Sequence, residues 1–121
     1  MIGPGGVFAI DSKQYRGRLQ LDAVGKLWHG RYPLAPAMRA ASWEADRAAQ
    51  VLPDPGMAVV PIVAVHGAQV TWGKVVTDGV PVVSARRLPS MLRQLPVVLG
   101  PERVAWLADQ ARVRFHAAGN R

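Results

Sequence analysis

Apolar and polar residues alternate along the first thirty positions in a pattern typical of β-structure. The apolar segment Val7–Ile10 reads as a strand that runs on into the polar residues Asp11–Tyr15. A second alternating segment, Arg18–Asp22, is followed by a turn at Gly25 and by Lys26–His29, which suits a hairpin partner. We therefore expect an antiparallel meander in this region.

The next segment changes from the strand period to the helix period. Apolar residues recur at helical spacing from Ala37 to Leu52, and charged residues occupy the other positions, which predicts an amphipathic helix. Pro53 follows its end, and Met57–Val65 is a β-branched apolar run suited to a strand buried on both faces. A helix that leads into a buried strand indicates an α/β crossover.

Shorter elements are predicted for the rest of the chain. We expect strands at Val70–Trp72 and Val80–Ser84, a short helix at Leu88–Leu95 and a last helix from Pro101. Residues 119–121 are expected to fray. The core is predicted to include Phe8, Ile10, Val60, Ile62, Val63, Leu107 and Phe115.

Length and composition favour one globular domain. A chain of 121 residues, half of them hydrophobic and 19% charged, is long enough for one apolar core and short for two. No repeat or linker divides it, so residues 1–121 are predicted to form a single domain. The mixture of meander, crossover helix and buried strand indicates the α/β class.

The net charge changes the expected partners. Fifteen Lys and Arg against eight Asp and Glu give a net charge of +7, which attracts polyanions such as nucleic acid. An Arg-rich composition also arises from coding sequence of high GC content. Charge alone leaves these two interpretations open.

Several classes of protein are excluded or disfavoured. The chain has no Cys, which rules out disulfide scaffolds, thiolate metal sites and cysteine nucleophiles. Its longest apolar run is well short of the roughly 18 residues that a membrane span requires. The first residues lack the pattern of a signal peptide. We therefore expect a soluble cytoplasmic protein with no membrane partner.

The polar end of the first strand holds the candidate chemistry. Side chains alternate between the two faces of a strand, so Asp11 and Lys13 are neighbours on one face, about 6.6 Å apart. A carboxylate at this position can bind a hard cation such as Mg²⁺, and an adjacent ammonium can offset charge on a phosphoryl oxygen. The pair could form part of a site for phosphodiester hydrolysis. Taken alone, the two residues are better explained as a plain surface salt bridge.

A longer motif surrounds this pair. The run Gly3–Gly17 (GPGGVFAIDSKQYRG) resembles the core motif of NERD (nuclease-related) domains, which belong to the PD-(D/E)XK nuclease-like superfamily. The resemblance continues in order through Leu27–Arg31, Pro61–Gly67 and Leu99–Val104. It implies a restriction-endonuclease-like mixed sheet with C-terminal helices, and a Mg²⁺-dependent or Mn²⁺-dependent hydrolase that acts on nucleic acid.

The resemblance also implies residue roles. Asp11 matches the metal-binding acidic residue of the D-x-K element and Lys13 its catalytic lysine. Gln14 follows where the superfamily often has a further polar active-site residue, although it points to the opposite strand face. NERD domains carry, ahead of the GPGG turn, a helix with a Glu and a strand with an Asp, whereas only Met1 and Ile2 precede Gly3. We therefore expect an N-terminally truncated domain whose cation is weakly held.

Basic and aromatic residues are interleaved after the D-x-K element. The basic residues could follow a phosphate backbone, with DNA a better expected partner than RNA, and the aromatic residues could stack on bases. They could equally be a solvated face and packed rings. The candidate nucleic-acid-binding residues are Arg16, Arg18, Lys26 and Arg31, and the aromatic residues are Tyr15, Trp28 and Tyr32.

Three hypotheses from different classes remain open. The first is a Mg²⁺-dependent nuclease that uses Asp11 and Lys13. The second is a non-catalytic nucleic-acid-binding module that keeps the basic face. The third is a protein-interaction domain or a defective gene remnant, because loss of the family's first helix and strand would expose an apolar sheet edge to a partner chain or a second copy.

Overall fold

The computed structural model describes residues 1–53, 57–69 and 74–119. Within them the chain forms a seven-stranded mixed sheet and three helices. In chain order the elements are β1 (Ile2–Gly3), β2 (Gly6–Leu21), β3 (Leu27–His29), β4 (Tyr32–Pro33), α1 (Ala35–Val51), β5 (Val59–Gln69), β6 (Lys74–Thr77), β7 (Val80–Ser84), α2 (Leu88–Arg93) and α3 (Pro101–Gly119). The fold is α/β, as expected.

The sheet combines the predicted meander with a parallel crossover. Its strand order is β4-β3-β2-β5-β7-β6, and β1 pairs with the start of β2. Strands β2, β3 and β4 are antiparallel, whereas β2 and β5 are parallel and joined through α1. The predicted strands at Val7–Tyr15 and Arg18–Asp22 form one long strand, which continues past Gly17 through a bulge.

Helices cover both faces of the sheet because β5 and the first part of β2 are apolar on both faces. Val7 packs with Leu107 of α3 on one face, whereas Phe8 packs with Ile62 and the residues of α2 on the other. The stripe of α1 that faces the sheet contains Met38, Ala41 and Ala45, all buried. The face of β2 beneath α1 and α3 therefore also bears Asp11 and Lys13, as the strand alternation predicts.

Some of the core predictions are wrong. Ile62, Val63 and Leu107 are fully buried, but Val60 is 39% exposed and Phe115 is 41% exposed. Val60 lies on the face covered by α2, which has only six residues and does not reach it. The buried residues also form three clusters on two faces of the sheet instead of one core.

Two of the predicted segments fall outside the described residues. The strand expected at Val70–Trp72 lies in the gap between β5 and β6, and part of the frayed tail expected at 119–121 follows α3. The structure adds strand β6, which pairs with β7 across the turn at Asp78 and Gly79. None of the described helices combines the length and the apolar character needed to cross a membrane.

Candidate functional site

Asp11 and Lys13 form an ion pair in the middle of β2. The Lys13 Nζ atom lies 3.3 Å from Asp11 Oδ2. The Lys13 side chain is 38% exposed and the Asp11 side chain is 20% exposed. Their backbones pair with Val63 and Val65 of β5, so a buried neighbouring strand fixes both positions. A carboxylate and an ammonium are thus held side by side at a solvent-accessible point of the sheet.

Tyr15 extends this row of polar side chains on the same face. Its ring packs at the edge of the core cluster beneath α1 and lies 5.1 Å, centroid to centroid, from the ring of His29. Burial raises the pKa of the Tyr15 hydroxyl, while the charge of Lys13 lowers it and that of Asp11 raises it. Asp11, Lys13 and Tyr15 therefore belong to one electrostatic environment, and Tyr15 was not singled out as a member of this site from sequence.

Helix α1, which packs over this face of the sheet, carries a further carboxylate on one flank, that of Glu44. Ala37 and Tyr15 pack against one core cluster, and Ala48 lines a cavity together with Ala9, so α1 runs antiparallel to β2 along this flank. Glu44 lies on the same side of α1 as Ala37 and Ala48, since residues seven and four apart share a helix face. Its side chain is exposed.

Gln14 is not brought together with the Asp11–Lys13 pair. Ile10, which is on the same strand face as Gln14, packs with α2 on the opposite side of the sheet. The Gln14 amide instead lies next to Gly67, where a Cβ atom would be 3.0 Å from Gln14 Nε2. The Gln14 side chain therefore lies over the backbone of β5.

The four candidate nucleic-acid-binding residues are dispersed along the meander. Arg16 and Arg18 are exposed on β2 around the bulge at Gly17. The Lys26 ammonium pairs with Asp78, and the Arg31 guanidinium lies over the Tyr32 ring at 5.9 Å. The structure thus places Arg16 and Arg18 beyond Lys13 on one strand, and Lys26 and Arg31 in turns with partners of their own.

The aromatic residues of the meander differ in their availability. The Trp28 indole N–H donates a hydrogen bond to Asp22 Oδ2 at 2.9 Å, and the ring is only partly exposed. Tyr32, in contrast, is 65% exposed. Helices α1 and α3 also present Trp43 and Trp106 to solvent, and the guanidinium of Arg47 lies 4.8 Å from the Trp43 ring centroid.

One edge of β2 is open next to the site. β1 pairs with β2 as far as Val7, and β3 begins to pair at Leu19; between them the described residues provide no strand on this side. Phe8 exchanges backbone hydrogen bonds with Met1, so alternate residues of β2, including Ser12, direct their N–H and C=O groups to this side. Within the described residues, this interval is an open sheet edge that runs alongside Asp11 and Lys13.

Few side chains near Asp11 could bind a cation. Among the described residues, no three His, Asp or Glu side chains converge as a metal-binding group. Asp11 offers a hard, partly exposed carboxylate, which matches the preference of Mg²⁺ for one or two carboxylates with water and phosphate oxygens. Asp11, paired with Lys13, is thus a single carboxylate, and no cluster of acidic or His side chains surrounds it among the described residues.

Comparison of the chain with protein-family models, with curated proteins and with solved structures found no match. The fold and the site define an α/β protein with a mixed sheet and a carboxylate–ammonium pair on an accessible strand.

Proposed function

We propose that this chain is a nuclease-related nucleic-acid-binding domain that contacts phosphate groups through the Asp11–Lys13 site. The observation that supports it is the placement of Lys13 beside Asp11, at 3.3 Å, on an accessible strand face of a protein with net charge +7. The restriction-endonuclease-like arrangement implied by the sequence is part of this proposal. Its support is the mixed sheet in which the strand bearing Asp11 pairs in parallel with the strand that follows α1.

Each side chain has a distinct role in the proposal. The Lys13 ammonium binds a nonbridging phosphate oxygen and offsets charge that develops there. Asp11 holds the ammonium in place when no ligand is bound. Arg16 and Arg18 lie further along β2 and provide contacts to neighbouring phosphates, with a strength that depends on salt.

Asp11 is also the residue that would hold Mg²⁺ or Mn²⁺, and we propose the exposed Glu44 of α1 as a further carboxylate. When bound, such a cation supplies Lewis-acid chemistry at a phosphoryl oxygen. A site with so few carboxylates binds Mg²⁺ weakly, because the ion gives up its water reluctantly. Hydrolysis by these 121 residues is therefore expected to be very slow or absent.

Plasmid nicking tests the catalytic part of the proposal. Supercoiled DNA is incubated with the chain and with Asp11→Asn, in Mn²⁺ and in EDTA. We expect DNA binding with little or no nicking by either protein. Rapid EDTA-sensitive nicking that Asp11→Asn abolishes would show a complete catalytic site, and a chain that does not bind DNA at low salt would contradict the proposed function as a whole.

A protein-interaction role is the second candidate, and the open interval of β2 favours it. An edge with unpaired N–H and C=O groups is a template for an added strand. The β2 strand of a second copy spans Gly6–Leu21 and exceeds the interval between β1 and β3, so β2-to-β2 pairing would collide with them. A partner would therefore provide a short extended segment that pairs with β2 between β1 and β3. The NERD resemblance implies an additional strand with an Asp ahead of the GPGG turn, and such a strand would pair here.

A further inference from the structure

The face of the sheet opposite the carboxylate–ammonium pair is only partly covered. Helix α2 has six residues and packs over the start of this face, where Phe8 and Ile62 are buried. Further along the strands, Ser12 and Gln14 of β2 and His66 of β5 are all exposed. Within the described part of the chain, the polar part of this face is therefore open to solvent.

The pairing of β2 with β5 brings these polar residues together. Gln14 and His66 are direct neighbours in the parallel register, which separates their backbones by about 4.8 Å. Ser12 is two residues before Gln14 on the same face, about 6.6 Å away. The Gln14 amide lies beside Gly67, where a Cβ atom would be 3.0 Å from Gln14 Nε2. The two strands thus place a hydroxyl, an amide and an imidazole at adjacent positions of one surface.

Two arginines border this surface. Strand β7 pairs in parallel with β5, and the Ala85 N–H continues the pairing by donating a hydrogen bond to the Val65 carbonyl, at 2.9 Å. Ala85 is therefore next to His66. Arg86 and Arg87 follow it directly, at the turn into α2, and both are exposed. Among the described residues, neither arginine side chain pairs with a carboxylate or stacks on an aromatic ring. Together with the polar residues of β2 and β5 they form the donor face, which consists of Ser12, Gln14, His66, Arg86 and Arg87.

The donor face lies where the chain has few acidic residues. No Asp or Glu occurs between Asp54 and Asp78 or between Asp78 and Glu102, and these two intervals contain all of β5, β7 and α2. On β2, Asp11 points to the opposite face, and the Asp22 carboxylate beyond its end accepts hydrogen bonds from its own turn. The acidic residues of the helices belong to α1 and α3, which cover the other face of the sheet. The donor face therefore carries positive charge without a carboxylate of its own.

The chemistry of the donor face suits phosphate groups. Its guanidinium, amide, imidazole and hydroxyl groups donate hydrogen bonds, and the charged oxygens of a phosphodiester only accept them. The donor face also lies at the carboxyl ends of parallel strands, where open α/β sheets bind their ligands. A protein segment would find little apolar surface to bury there, whereas a phosphodiester backbone requires only charge and hydrogen bonds.

We propose that the donor face binds the phosphodiester backbone of a nucleic acid, with Arg86 and Arg87 each on one phosphate group. The Gln14 amide and the His66 ring donate hydrogen bonds beside them. The proposal rests on the proposed function, that the chain binds nucleic acid, and adds a second contact surface on the face of the sheet opposite Lys13. Because contacts to phosphates carry no sequence information, this binding is independent of base sequence.

The test measures the salt dependence of binding in matched variants. A labelled single-stranded oligonucleotide of mixed sequence is titrated at several KCl concentrations with the chain, Arg86→Gln, Arg87→Gln, Lys13→Gln and Arg114→Gln. Arg114 is an exposed arginine of α3, the helix on the other face of the sheet, and is the control for loss of one positive charge. Circular dichroism of each variant establishes that the fold is retained.

We expect the slope of log affinity on log salt to decrease in magnitude by about 0.7 in Arg86→Gln and again in Arg87→Gln, which is one phosphate contact each. The slope should stay unchanged in Arg114→Gln. In NMR spectra of the unmodified chain, the backbone amide signals of Gln14 and His66 should shift when the oligonucleotide is added.

Four results would overturn the inference. Slopes for Arg86→Gln and Arg87→Gln equal to that of the unmodified chain, with a smaller slope for Lys13→Gln, would refute the donor face and leave the proposed function standing. An equal decrease in Arg114→Gln would show a general effect of charge instead of a site. Polyglutamate that displaces the oligonucleotide and shifts the same amides at a lower concentration would assign the donor face to an acidic protein segment. Absence of binding by the unmodified chain at low salt would refute the proposed function together with the inference.

Discussion

The backbone of Gly67 in β5 lies against Tyr15 in β2 so closely that a Cβ atom on Gly67 would be 2.6 Å from the Tyr15 carbonyl oxygen. Gly67 also has a φ of +80°, a conformation that disfavours residues with a side chain. This contact is at the bulge where the register of β2 and β5 shifts. It therefore fixes the course of β2 directly beyond Asp11 and Lys13.

Gly67→Ala is expected to destabilise the fold by about 3 kcal/mol or more, the sum of a left-handed backbone and a steric overlap. Gly79→Ala is the matched control, because Gly79 has a φ of +75° with open space around its α-carbon. It should cost only about 1 to 2 kcal/mol. Urea unfolding of both variants provides the measurement. Equal losses would show that the close approach to Tyr15 has no energetic consequence.

Asp22 organises the turn between β2 and β3. Its carboxylate accepts hydrogen bonds from the Trp28 indole and from the backbone N–H groups of Lys26 and Val24. The Trp28 bond, followed by the Lys26 bond, lowers the pKa of Asp22 below its ordinary value of 3.8. Because this pKa is lowered, the ionised Asp22 carboxylate stabilises the fold at pH values above 3.8. The stabilisation is lost as the pH falls through the pKa of Asp22 in the folded state.

Asp22→Asn should therefore lower the thermal midpoint at about pH 7, and the difference from the unmodified chain should shrink at about pH 3. Asp46→Asn, an exposed carboxylate on α1, is the control for removal of one negative charge. Thermal melts followed by circular dichroism measure the midpoints. A difference that is constant across this pH range would contradict the role given to the Asp22 carboxylate.

The open interval of β2 makes a prediction for individual amides. The N–H of Ser12 points to the open side, whereas that of Lys13 points to β5. Hydrogen exchange measured by NMR should find Ser12 fast and Lys13 strongly protected. Comparable protection of both amides would mean that another strand, from a partner or a second copy, already covers this edge.

Glu44 provides a test of the cation site. If its carboxylate reaches the level of Asp11, Glu44→Gln should weaken Mn²⁺ binding about tenfold, and Asp11→Asn should weaken it at least as much. Asp46→Asn, two positions along α1 and exposed on the opposite flank of the helix from Glu44, should have no effect. Electron paramagnetic resonance titration of Mn²⁺ measures all three. Identical affinities for Glu44→Gln and Asp46→Asn would remove Glu44 from the site.

Much of the fold follows from residue patterns because its strongest signals are periodic. The stripe at Met38, Ala41 and Ala45 predicts α1, and the β-branched run around Ile62 predicts β5. The alternation in β2 also predicts that Asp11 and Lys13 share a face. These properties depend on local geometry, which a single segment specifies.

Other features depend on how distant segments meet, and sequence patterns do not specify them. Val60 belongs to an apolar run, but its exposure depends on the length of α2. Phe115 fits the apolar stripe of α3, yet it lines an open cavity because that helix is set apart from β2. Helical spacing places Glu44 on the flank of α1 shared with Ala37 and Ala48. Its distance from Asp11, however, depends on how α1 packs against β2.

The central claim is that Lys13 binds phosphate, and the salt dependence of DNA binding tests it most directly. A labelled oligonucleotide is titrated at several KCl concentrations with the chain, Lys13→Gln and Lys74→Gln; Lys74 is an exposed lysine of β6 and serves as the control. We expect affinity to fall as the salt concentration rises. The slope of log affinity on log salt should decrease in magnitude by about 0.7 to 0.9 in Lys13→Gln and stay unchanged in Lys74→Gln. The same comparison with Arg16→Ala and Arg18→Ala should remove about one contact each. A salt-independent affinity, or a Lys13→Gln slope equal to that of the unmodified chain, would contradict the claim.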